Sequence, residues 1–251
     1  MNAGGRTPRA TPLFSDDWEM AYGEQAALEG ILARLRPQLA IEIGTYKSGS
    51  LSRISHYSGH VHTFDIASHV SQRLPNVTYH LGESATTVPR VLESLCDAGE
   101  RVDFVLIDGD HSRHGVSRDV ANVLAAPAVE EAAILLHDIS NEGVRAGLRD
   151  AAAGHPHIRY ANLSFVPAWD NTGLLEEAWG GLGILIVDRE GAGTIWQHEL
   201  RVDANFDWPT SVKRSLAWHA AKPVRDGRRE AMYRLRPIVR RLRGSRGKRV
   251  G

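Results

Sequence analysis

Residues 39–65 constrain this chain more than any other stretch, because they read as a short strand, a glycine turn, a helix and a second strand ending on a carboxylate. Ala40-Ile41-Glu42-Ile43-Gly44 is apolar enough for a buried strand, and Val61-His62-Thr63-Phe64-Asp65 is the next one. Between them, Gly44-Thr45-Tyr46-Lys47-Ser48-Gly49-Ser50 places glycine where the backbone must bend sharply or a ligand must come close, and residues 51–57 supply the helix. Such a strand-turn-helix-strand unit predicts an α/β fold with a parallel sheet. In an open sheet of that kind the carboxyl edge of the strands is where ligands bind, so the turn and Asp65 share one rim.

Spacing separates the nucleotide sites that use such a turn. A dinucleotide fingerprint needs G-x-G-x-x-G, but Tyr46 stands where the second glycine would admit a pyrophosphate. A P-loop needs Lys and Ser or Thr directly after its last glycine, and Gly49 is followed by Ser50 and Leu51. What remains, Glu42-Ile43-Gly44-Thr45-Tyr46-Lys47-Ser48-Gly49, resembles the first motif of class I S-adenosylmethionine-dependent methyltransferases, E/D-x-G-x-x-x-G, with one extra residue before the second glycine. The resemblance implies a doubly wound, mostly parallel seven-stranded Rossmann-like sheet with helices on both faces. It implies cofactor contacts from Glu42, Gly44, Thr45, Tyr46, Ser48, Gly49 and Ser50, with Asp65 accepting hydrogen bonds from ribose hydroxyls. Residues 76–82 read as a third strand, and the turn after it, Gly82-Glu83-Ser84, lies near the adenine in that family. Ser84 is equally well placed to cap the helix over residues 86–96.

Two further strands carry chemistry at their ends. Val102-Asp103-Phe104-Val105-Leu106-Ile107 runs into Asp108-Gly109-Asp110-His111, and Ala132-Ala133-Ile134-Leu135-Leu136 runs into His137-Asp138. Carboxylates and imidazoles are poor core formers, so two such clusters at one rim point to a site. The pairing of I-D-G-D-H with L-L-H-D, after the glycine turn, is similar to the branch holding macrocin-type sugar O-methyltransferases and cephalosporin hydroxylase-like proteins. That resemblance covers residues 40–188. It implies that Asp108 borders the cofactor and binds a metal, that His111 is the general base, and that the end of the next strand completes the metal site. That branch has an acidic pair at this point, where this chain has His137-Asp138, a departure that leaves Asp138 and His137 as candidate ligands.

Methyl transfer to a hydroxyl needs alignment and removal of a proton, which suits a histidine, and a hard ion such as Mg²⁺ held by carboxylates would orient a diol. The function this implies is O-methylation of a small-molecule or sugar hydroxyl by S-adenosyl-L-methionine. The alternative is a hydroxylase-like or non-catalytic scaffold protein of the same fold.

Around this centre, residues 1–14 read as a disordered leader and residues 15–221 as the cofactor-binding domain. A helix is expected over residues 18–35, capped by Asp16 or Asp17, and another over residues 115–124. Residues 158–163 and 181–188 are the sixth and seventh strands, and residues 164–180, with Trp169, Asp170, Asn171 and Trp179, make a loop or hairpin over the site. With 251 residues and 42% hydrophobic content, one large core suffices. Cys96 is the sole cysteine, which rules out an internal disulfide and suits a reducing cytoplasm; no apolar run is long enough to span a bilayer.

The zero net charge hides an asymmetry. Residues 222–251 hold 12 Lys and Arg against Asp226 and Glu230, a net +10, and the remainder carries −10. This basic tail is open to three readings: contact with a membrane surface, docking on the acidic body or a partner, and a solvated chain. Nucleic acid is disfavoured, since no recognition module accompanies the charge. A homo-oligomer is compatible with all three.

Overall fold

A computed structural model describes residues 18–70, 73–167 and 178–191. The leader, most of the expected loop over the site and the basic tail lie outside the described residues. The elements run α1 (Tyr22–Leu35), β1 (Leu39–Ile43), α2 (Gly49–Tyr57), β2 (His60–Asp65), β3 (Val77–Leu81), α3 (Ser84–Asp97), β4 (Phe104–Ile107), α4 (Arg113–Ala125), β5 (Glu131–Leu136), α5 (Glu142–Ala152), β6 (Ile158–Val166) and β7 (Leu182–Asp188).

One seven-stranded sheet has the order β3-β2-β1-β4-β5-β7-β6. The first five strands are mutually parallel, and β7 inserts antiparallel between β5 and β6. The pleat explains why the buried strands read as continuous apolar runs. Leu39, Ile41 and Ile43 of β1 join one core with Val88, Leu92, Val120 and Leu148 of α3, α4 and α5. Ala40 faces the other core, with Leu28 and Leu32 of α1 and Leu51 and Ile54 of α2.

Two expectations need correcting. Helix α1 begins at Tyr22, four residues after Trp18, because the Glu24 carboxylate accepts the Ala21 N–H and fixes the first turn there; Trp18 and Met20 are buried ahead of the helix. Helix α3 is capped at Glu83, so Ser84 is its first residue and its hydroxyl goes elsewhere.

Strand order reverses between β1 and β4, and the register there places the ligand edge. Ile43 pairs with both Phe64 and Ile107, and Ile107 pairs with Leu136. The residues that follow, Gly44, Asp65, Asp108 and His137, therefore emerge at one level. Backbone hydrogen bonds continue past the strands to hold them: Gly44 N–H to Phe64 O at 2.8 Å, Asp108 N–H to Ile43 O at 2.7 Å, and His137 N–H to Ile107 O at 3.1 Å. Among the described residues, no helix is long and apolar enough to cross a membrane.

Candidate functional site

At that edge lies a cavity of about 670 Å³, within the usual range for small-molecule sites. The ends of β1, β2, β3, β4 and β5 all contribute to its lining, through Gly44, Asp65, Gly82, Asp108 and His137 among others. Gly44 is obligatory. Its φ is +100°, and an added Cβ would come within 2.1 Å of the Asp108 carbonyl oxygen, so any side chain would drive β1 and β4 apart.

The turn above Gly44 is held by Asp65. Its Oδ2 accepts the Tyr46 N–H at 2.9 Å, and its Oδ1 accepts the Ala67 N–H at 3.0 Å. Tyr46 and Ser48 adopt left-handed backbone angles, φ 42° and 73°, which costs free energy for a residue with a side chain and concentrates at ligand-contacting turns. The Ser48 hydroxyl is buried without a partner among the described residues.

The proposed cofactor residues divide into two sets. Gly44, Tyr46, Asp65, Gly82, Glu83, Ser84 and Asp108 line the cavity, whereas Glu42, Thr45, Ser48, Gly49 and Ser50 do not. Glu42 is fully buried beneath the turn, where Oε1 accepts the Ser50 hydroxyl at 2.6 Å and Oε2 accepts the Thr63 hydroxyl at 2.7 Å. Thr45 and Thr63 hydroxyls meet at 2.5 Å. This network ties the first helical turn of α2 to β1 and β2.

Burial pushes the Glu42 carboxyl up to about 8 despite these hydrogen bonds, so it is protonated in the folded protein at neutral pH. The unfolded chain releases that proton near the ordinary 4.5, and stability is therefore full below pH 4.5 and falls as pH rises towards 8. Glu42→Gln keeps the shape without the ionisation. Its unfolding free energy should lose a downward slope of up to about 1.4 kcal/mol per pH unit across that window, measured by urea denaturation at several pH values. Equal slopes for both proteins would show that Glu42 is ionised in the fold.

Asp108, His111, His137 and Asp138 form a single cluster. His111 Nε2 lies 3.3 Å from Asp108 Oδ1 and 3.1 Å from Asp138 Oδ2, while His137 Nδ1 lies 3.2 Å from Asp108 Oδ1. Burial alone would lower both histidine pKa values, but the hydrogen bonds and charges of the two carboxylates outweigh it, raising His111 to about 9 and His137 well above its usual value. Burial likewise opposes ionisation of Asp108 and Asp138, and the imidazoles reverse it and hold both carboxyls low. Asp138 owes its aim to a left-handed backbone, φ 56°, and its Oδ1 accepts the Gly180 N–H at 2.6 Å. The Trp179 ring meets the His111 ring edge-on at 5.4 Å between centroids.

A ligand atom from each of Asp108, His137 and Asp138 falls within 4.8 Å of the other two, a convergence that fits one cation. Two carboxylates suit a hard divalent ion, and the imidazole extends the choice to transition metals. Asp110, their neighbour in the sequence, is turned away from this convergence, and its Oδ1 accepts the Ser112 N–H at 2.9 Å to shape the turn into α4.

Glu24 escaped the sequence reading altogether. It is 1% exposed on α1, its Oε1 lies 3.4 Å from His137 Nε2, and it also accepts the Gly181 N–H. A carboxylate behind a histidine orients the ring and raises its basicity. The one signal in the sequence was an acid followed by Gln25 on the buried side of an apolar helix.

The sheet order, with β7 antiparallel at its place beside β5 and the site at the parallel strand ends, makes a Rossmann-like methyltransferase fold. Residues 41–139, from β1 through the His137-Asp138 corner, match a family model described as a methyltransferase domain. No curated protein matches the chain. Among solved structures, the chain is similar to the MycE methyltransferase from the mycinamycin biosynthetic pathway, in complex with Mg, S-adenosylhomocysteine and mycinamycin VI. The identity is 14%, covering 73% of this chain and 54% of that one, with a TM-score of 0.49. It thus spans about half of MycE. It is also similar to an O-methyltransferase from Bacillus cereus in complex with S-adenosylhomocysteine, at 16% identity over 67% of this chain and 82% of that one, TM-score 0.45. A third is the O-methyltransferase TomG from Streptomyces achromogenes, in complex with S-adenosylmethionine, at 15% identity over 67% and 81%, TM-score 0.47.

Proposed function

We propose that this chain is an S-adenosylmethionine-dependent O-methyltransferase that acts on a hydroxyl of a small molecule or sugar intermediate and uses a divalent ion. The observation that carries the reading is one cavity holding both a nucleoside-type subsite, Gly44 and Tyr46 with Asp65, and a proton-handling cluster, Asp108, His111 and Asp138. Asp65 is positioned to accept hydrogen bonds from ribose hydroxyls while its other contacts keep the Tyr46 turn in place. Glu42, Thr45 and Ser50 act from beneath, by fixing that turn. Bound S-adenosylmethionine supplies an electrophilic methyl group on a sulfonium, whose positive charge the carboxylates of the cluster favour.

His111 Nε2 faces Asp108 and Asp138, and its Nδ1 has no hydrogen bond among the described residues. The carboxylates thus orient the ring as in other carboxylate-histidine pairs, and Nδ1 takes the acceptor's hydroxyl proton as the new C–O bond forms. Asp108, Asp138 and His137 would hold the ion, which would orient the acceptor hydroxyl and lower its pKa. Trp179 packs edge-on against the His111 ring and steadies it from outside the cavity lining. The basic tail is a candidate contact to a membrane surface that carries the acceptor or its product.

Calorimetric titration with S-adenosylhomocysteine tests the donor site directly. Binding is expected for the wild type, with none for NAD or ATP. Asp65→Ala should weaken it by about 1.5–3 kcal/mol, the worth of a hydrogen bond to a charged group. Unchanged affinity in that variant would remove Asp65 from the sugar subsite.

A further inference from the structure

Beyond the sugar and the reacting cluster, the cavity reaches the turn from β3 into α3 and the first turns of α4, where Ser84 and Arg118 line it. If the ribose sits at Asp65 with its 5′ substituent towards His111, the base on C1′ points the other way, to this end. A role for this end in reading the base therefore rests on the donor assignment above.

Ser84 is the polar side chain whose hydrogen bonding is already decided there. Its hydroxyl donates to Asp119 Oδ1 at 2.8 Å. Asp119 lies on α4, is 1% exposed and does not line the cavity; its Oδ2 has no partner among the described residues, and its charge is met by Arg118 Nε, 3.6 Å from Oδ1. A hydroxyl has one proton and two lone pairs. With the proton committed inward and Arg118 Nη2 approaching the oxygen at 3.5 Å, Ser84 offers the cavity only a remaining lone pair.

We infer that Asp119 is a positioning residue for base recognition: it fixes Ser84 as a hydrogen-bond acceptor, so that this end of the cavity selects a purine carrying a 6-amino group over one carrying a 6-oxo group. An amino group donates to that lone pair. A carbonyl oxygen in its place sets two acceptors face to face and leaves both unpaired, which is the costly case. Neither helix alone would achieve this, because Ser84 without Asp119 could turn its proton outward and accept either base.

The test compares S-adenosylhomocysteine with S-inosylhomocysteine, which differ only at that position of the ring and the adjoining proton, by calorimetry on the full chain. The wild type should bind the adenine compound at least about tenfold more tightly, roughly one hydrogen bond's worth. In Ser84→Ala and Asp119→Ala the ratio should fall to within about threefold of unity or invert, since Arg118 remains as a donor. Asp119→Asn should restore it, because the amide oxygen still accepts from Ser84 and the amide nitrogen takes the unpartnered position. General damage to the fold would weaken both compounds together and leave the ratio alone. Full discrimination in Ser84→Ala, a variant at the partly exposed start of α3 that removes one atom, overturns the inference even if Asp119→Ala fails to fold. Equal wild-type affinity for the two compounds also overturns it while sparing the donor assignment. A wild type that binds neither compound overturns both.

Discussion

Replacing His111 with alanine is expected to lower kcat by about 10²–10⁴-fold while S-adenosylhomocysteine affinity stays within about threefold of wild type. The size follows from the loss of a positioned base, and the selectivity follows from geometry. His111 contacts Asp108, Asp138 and Trp179, and the Asp65 turn that would hold the nucleoside is organised independently through Tyr46 and Ala67. The base must be neutral to work, and the neighbouring carboxylates hold its pKa at about 9. Without a cation at the carboxylates, turnover should therefore rise with pH until that ionisation is passed. His111→Gln should be as inactive as His111→Ala, since an amide packs in place of the ring without accepting the proton. A loss of less than tenfold, or parallel loss of cofactor affinity, would show that His111 shapes the cavity and takes no proton.

Much of this site was legible in the chain because its residues follow directly on buried strands. A run such as Phe104 to Ile107 has few alternatives to a central strand, so Asp108 to His111 had to emerge at its end, and the same logic delivered His137 and Asp138. Gly44 and Asp65 were legible for the same reason. The acid that begins the motif points to a cofactor contact at Glu42, but its strand position turns it inward, where Ser50 and Thr63 occupy both oxygens. Local pattern could not show this, since the face a strand residue takes depends on which side the helices cover. Glu24 and Asp119 were out of reach altogether. Each is a buried acid on an amphipathic helix whose partner lies far along the chain, 113 residues from Glu24 to His137 and 35 from Asp119 to Ser84. Helical periodicity says that such a residue faces inward and says nothing of what it meets.

Chelation of divalent ions is expected to abolish turnover at neutral pH while sparing S-adenosylhomocysteine affinity. Asp108 and Asp138 are brought together at one edge, with His137 Nδ1 at 3.2 and 3.8 Å from them. Carboxylates this close repel unless positive charge lies between them, and within the chain that charge comes from His111 and His137. Keeping both imidazoles protonated for this purpose would cost the site its base. A divalent ion at Asp108, Asp138 and His137 brings equal charge, and His111 can then stay neutral. Loading with Mg²⁺ or Mn²⁺ should accordingly move the pH–rate profile to lower pH and raise the thermal midpoint, a readout that needs no acceptor. Asp138→Asn should abolish the metal-dependent rise in thermal midpoint. It should also lower kcat at saturating donor by on the order of 10²-fold or more, as loss of one transition-state interaction does. Glu24→Gln should weaken metal affinity by about 10–100-fold through the His137 ring it supports, with both carboxylates intact. Full turnover in excess EDTA, with no metal-dependent change in the thermal midpoint, would leave Asp108 and Asp138 as orienting partners of His111 alone.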